Sequence, residues 1–88
     1  MKVVFNVDFR SQSRGSQGFA RLETDMPCAP TTDMHFEHSA WKEPRKAMSV
    51  FYSVAEKSFY VILQYDTVEP KRKKQHGEMY QGHGWTVK

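Results

Sequence analysis

Cysteine is nearly absent from this chain of 88 residues: Cys28 is the only one. A lone cysteine excludes an intrachain disulfide and a multi-cysteine zinc site, and nothing calls for an oxidising compartment, so the expected setting is cytoplasmic. Long apolar runs are also missing. No stretch approaches the roughly 18 residues that a membrane span needs. The opening Val3, Val4 and Phe5 are interrupted by Asn6, Asp8 and Arg10 before a signal-peptide core develops, so the segment reads as a first strand. Catalytic and cofactor motifs are lacking too. Gly15 and Gly18, or Gly82 and Gly84, have neither the strand-to-helix context nor the trailing Lys and Ser/Thr of a phosphate cradle.

The remaining composition is that of a folded chain, 39% apolar, 14% aromatic and 26% charged, with a formal charge of only +3. Its length suits one domain spanning residues 1–88. Val3, Phe5, Val7 and Phe9 recur with the period of two that marks a half-buried strand. Ser11 to Gly18 reads as a loop and Phe19 to Thr24 as a second strand. Pro27 and Pro30 interrupt pairing, Met34 to His38 suits a short third strand, and one helical turn is expected between Ser39 and Glu43.

The stretch from Lys46 to Asp66 holds two strand-forming runs around a turn at Ala55, Glu56 and Lys57. It has apolar side chains at both odd and even positions, so neither face of the hairpin is dispensable to solvent. After Pro70 a cationic loop is expected, and the segment from Glu78 to Lys88 reads as a last strand weakened by its glycines. The fold class that follows is all-β or strand-dominated α+β, a small antiparallel sheet or barrel of five to six strands with at most one short helical turn.

Candidate chemistry is sparse. His35 and His38 have helical metal spacing, but on a strand their odd offset sends them to opposite faces. His76, His83 and Glu78 share a glycine-bearing segment without specifying a ligand set, so no metal and no cofactor is assigned. Cys28 near Asp33, His35 and His38 has the residue types of a thiol site, yet sequence proximity does not build one; it reads as a small filler or bystander, and no catalytic residue is assigned. Met26, Met34, Met48 and Met79 read as core filler.

The two-faced hairpin therefore points to a non-catalytic binding or assembly protein, a homodimer through a sheet face, with Trp41, Phe51, Tyr60 and Ile62 as the interface or ligand face. One alternative is a nucleic-acid binder in which Lys71, Arg72, Lys73 and Lys74 neutralise phosphates while Tyr80 or Trp85 stacks on a base. Another is a small-ligand protein with an aromatic pocket lined by Trp41, Tyr52, Tyr60 or Tyr65.

Overall fold

The computed structural model describes residues 1–13 and 15–88. The chain forms β1 (Lys2–Ser11), β2 (Gly15–Asp25), β3 (His35–Phe36), β4 (Arg45–Ser53), β5 (Ser58–Leu63) and β6 (Asp66–Thr67). A 3-10 turn at Pro70–Arg72 leads into the helix α1 (Lys73–Gly82), and β7 (Thr86–Val87) follows. Strands dominate, and seven of them form one open sheet in the order β3-β4-β5-β1-β2-β7, with the short β6 also on β1.

Most pairings are antiparallel, but β1 pairs with β5 and β6 in parallel. The reason is topological. β1 sits centrally with β2 on one side, so the chain must cross back to supply its other neighbour, and β5 arrives running the same way. The alternation of Val3, Phe5, Val7 and Phe9 puts those side chains on one face, where they are buried together with Ala20, Val61 and Leu63.

That face is covered by α1, which contributes the fully buried Tyr80, and by the connection between β2 and β4, which lays Phe36, Ala40 and Trp41 against the core. Trp85 closes the cluster between Tyr80 and Trp41, its ring 5.1 Å and 5.7 Å from theirs. Phe36 meets Phe5 edge-on at 5.0 Å. Aromatic side chains thus fill the space that one short helix leaves open.

Several local expectations change. The expected loop Ser11 to Gly18 is mostly strand: β1 extends to Ser11 and β2 resumes at Gly15, while Arg14 lies outside the described residues. The third strand is confined to His35–Phe36, and Ser39 to Glu43 forms turns instead of a helix. The cationic segment is helical, and α1 continues through Gly82, so the expected last strand shrinks to Thr86–Val87. Gly77 explains why a glycine stands inside this helix. A Cβ there would lie 3.1 Å from Val87 Cγ1, so its absence lets α1 sit close against β7. Among the methionines, Met26 and Met79 pack on the core, whereas Met48 is 69% exposed at a β-bulge of β4.

Candidate functional site

Two regions concentrate side chains that the core does not consume. The first is the β4–β5 hairpin. Its strands pair from Ala47–Leu63 to Ser53–Ser58, and Lys57 in the connecting turn adopts a positive φ of 55°. Across the sheet, Phe51, Tyr60, Val4 and Glu23 form one row on the face opposite α1. Ser49, Ile62, Asn6 and Arg21 form the next. Phe51 stacks on Tyr60, and the Arg21 guanidinium lies over the Tyr60 ring at 5.8 Å. Within this row Val4 is buried and Phe51 is half-exposed.

The outer edge of β4 is also open. β3 pairs with Arg45 and Lys46 alone, so from Ala47 to Ser53 β4 has a strand partner on one side only among the described residues. This stretch contains neither a charged residue nor a proline, the usual guards of a sheet edge. Of the six exposed large apolar side chains among the described residues, Met48, Phe51, Tyr52 and Val54 belong to β4 and the turn after it. Phe51 and Tyr52 point to opposite faces, each 49% exposed, with Tyr52 set edge-on to Phe59.

The second region is centred on Asp66, brought by β6 to the end of β5 and facing α1. Its carboxylate accepts hydrogen bonds from Arg45 Nη1 at 2.7 Å and Tyr80 Oη at 2.8 Å. His76 Nε2 lies 2.8 Å from the same Oδ2, a bond in which the imidazole N–H donates. Trp41 Nε1 donates to Tyr80 Oη at 3.0 Å, and the Arg45 guanidinium lies 4.9 Å above the Trp41 ring. The Asp66 side chain is only 12% exposed. Burial raises the Tyr80 phenol to about 12, opposed by the Trp41 hydrogen bond and reinforced by Asp66.

Beside this network lies an open groove of about 860 Å³, with Trp41, Arg45, Tyr65 and His76 in its walls. Lys42 and Lys46 line it as well. Next to Trp41, His38 Nδ1 accepts from the Ala40 amide at 3.0 Å and the Trp85 indole at 3.4 Å. Burial, and then the nearby His83, lower its pKa below the ordinary histidine value.

The structure therefore brings Phe51, Tyr60 and Ile62 together on one face, but Trp41 lies on the other side of the sheet, packed against the core. Lys71, Arg72, Lys73 and Lys74 are exposed at the start of α1. Tyr80 and Trp85, assigned to stack on a base beside them, are 0% and 4% exposed, so core packing withholds both rings from that use. Of the aromatics named for a pocket, Trp41 and Tyr65 line the groove while Tyr52 and Tyr60 belong to the hairpin.

His38 comes close to His83 at 6.3 Å between rings and not to His35; His76 binds Asp66, and Ser39 is bonded to His83. Among the described residues no three or more His, Cys, Asp or Glu side chains gather as metal ligands. Cys28 is exposed, so it is no core filler. No helix among the described residues is long and apolar enough to cross a membrane.

Sequence reasoning did not join Arg45, Asp66 and His76 into one site. They lie on β4, β6 and α1, and no local spacing links them. Comparison with models of protein families, with curated proteins and with solved structures finds no match to this chain.

Proposed function

We propose that this protein is a small assembly module that pairs with a second copy of itself through the β4–β5 hairpin. The observation that carries this reading is the open edge of β4, uncharged from Ala47 to Ser53 and bearing apolar side chains on both faces. A one-sided apolar face calls for a covering layer. A strand exposed on both faces and along its edge is better matched by another strand, which satisfies the free backbone groups and flanks the side chains on either side.

Antiparallel pairing of β4 with its copy is self-complementary by symmetry, and a register that sets Phe51 opposite its counterpart on one face sets Tyr52 opposite the copy's Val50 on the other, diagonal to its own counterpart. The stack of Phe51 on Tyr60 then extends across the junction. The charges of the open face, Lys2 with Glu23, Arg21 with Glu23 and Arg10 with Asp8, are internally paired and do not oppose the approach of a second copy.

Sedimentation equilibrium between about 1 and 200 μM tests the reading. These concentrations bracket the micromolar affinities of modest interfaces. The expected result is a monomer–dimer equilibrium that the exposed double substitution Phe51→Lys/Tyr52→Lys shifts wholly to monomer while the far-ultraviolet circular dichroism is retained. A folded wild-type chain that stays monomeric throughout that range overturns the reading.

A further inference from the structure

We infer that the groove beside Asp66 is a binding site for a small organic anion, with Arg45 receiving the acidic group and the apolar side chains of the groove receiving the rest of the molecule. The inference goes beyond self-association and centres on a different surface, which meets the open edge of β4 at Ala47 and Met48.

The first support is the state of Arg45. Only its Nη1 is engaged by a protein acceptor, Asp66, and its plane is held over Trp41, so the guanidinium is fixed while its other donors have no protein partner among the described residues. A guanidinium placed in this way presents parallel N–H groups to a carboxylate or phosphate without first losing side-chain freedom.

The second support is the charge around it. Lys42, Arg45 and Lys46 line the groove with two carboxylates, Glu43 and Asp66. Asp66 is spent on Arg45, His76 and Tyr80 and has little exposure left, which leaves the accessible lining cationic. His76 Nδ1 has no protein partner among the described residues either, and it adds a polar atom that donates when the ring is protonated and accepts when it is neutral.

The third support is shape. The volume is that of a small-molecule cleft, and Tyr65, Pro44, Met48 and Met79 supply apolar wall beside the polar groups. A bare inorganic ion would leave that wall unused. A molecule with a ring or short aliphatic body beside its acidic group uses both.

The test is a titration of the full-length chain with phenyl phosphate, benzoate and inorganic phosphate, followed by nuclear magnetic resonance at the Trp41 indole N–H and the Arg45 and His76 side chains. The expected result is saturable shifts with at least one of the two organic anions, and binding about tenfold or more tighter than that of inorganic phosphate. Whichever organic anion binds tighter identifies the acidic group as phosphate or carboxylate. Arg45→Lys keeps the charge but loses the fork, and is expected to weaken binding by about tenfold or more.

Should Arg45→Lys fail to fold, the exposed pair Lys42→Ala/Lys46→Ala carries the test, with a severalfold loss expected and Lys57→Ala as the distant control. The monomerising substitutions Phe51→Lys/Tyr52→Lys are expected to leave the affinity unchanged, which separates this site from the hairpin. The inference is overturned by no saturable shift at millimolar anion, by inorganic phosphate binding as tightly as the organic anions, or by unchanged affinity in a folded Arg45→Lys or Lys42→Ala/Lys46→Ala variant.

Discussion

Phe51 on β4 and Tyr60 on β5 are directly opposed in register, and their rings stack with 4° between planes and 5.2 Å between centroids. Both rings lie on the face opposite α1 and outside the buried core cluster, so the pair contributes to the sheet from beyond the core. A double-mutant cycle with Phe51→Ala and Tyr60→Ala, read by urea denaturation at a fixed low protein concentration, is expected to give a coupling of about 0.5 to 1 kcal/mol. Additive effects would show that the stack is incidental.

Asp66 is bonded by Arg45 of β4 and by His76 and Tyr80 of α1, and its side chain is 12% exposed. Asp66→Ala leaves those donors without their acceptor and is expected to cost about 2 to 4 kcal/mol in urea denaturation, with an unchanged denaturant slope. Tyr80→Phe removes one link and is expected to cost about 1 to 2 kcal/mol. A loss under about 0.5 kcal/mol for Asp66→Ala would contradict the role given to the carboxylate.

Tyr80 is one of four tyrosines, and its phenol is raised to about 12 chiefly by burial. Spectrophotometric titration is expected to show it ionising well after an ordinary phenol. The folded state then holds a proton that the unfolded state has released, so the phenol's contribution to stability is complete below about pH 10 and declines as pH rises toward 12. Tyr80→Phe should remove both the late ionisation and that decline.

His38 gives the opposite acid-side behaviour. Burial and His83 lower its pKa, so on acidification the unfolded chain takes up the proton first. Its contribution is therefore intact above the ordinary value of 6.5 and is lost as pH falls from there toward the lowered folded value. Protonation also removes the Nδ1 acceptor used by Ala40 and Trp85. His38→Asn, which keeps a short acceptor that does not titrate, is expected to flatten the pH dependence of the melting temperature between about 7 and 5. An unchanged slope would remove His38 as its source.

Gly18 sits at φ 142°, and a Cβ there would collide with the Lys88 carbonyl oxygen, which accepts from the Phe19 amide. Gly18→Ala is expected to cost about 1 to 3 kcal/mol and to loosen β7 from β2, seen as faster amide exchange at Phe19 and Lys88. A neutral substitution would show that the β2–β7 junction is pliable.

These relationships differ in how far they could be read beforehand. The alternation of Val3, Phe5, Val7 and Phe9 was enough for β1, and the density of Val, Phe and Tyr was enough for the β4–β5 hairpin, because strand period is a local property. The helix was hidden for a physical reason. Gly77 and Gly82 lower its intrinsic propensity, and only Gly77 and Tyr80 are buried, so its stability comes from docking on the sheet and not from an amphipathic stripe. The Asp66 network was hidden by distance along the chain. Arg45, Asp66 and His76 become neighbours only when β4, β6 and α1 meet, and Trp41 parts from Phe51, Tyr60 and Ile62 because its turn folds over the core.

Amide hydrogen exchange along β4, compared between dilute and concentrated protein, tests pairing through the open edge most directly. The amides from Ala47 to Ser53 that do not bond β5 have no strand partner among the described residues, so they should exchange readily when dilute. The expected result is protection that rises with concentration at those amides, is matched by slower exchange in the neighbouring turn, and disappears in Phe51→Lys/Tyr52→Lys. Rates at β4 that do not change with concentration, or protection that appears at β7 or the open face instead, would contradict assembly through this edge.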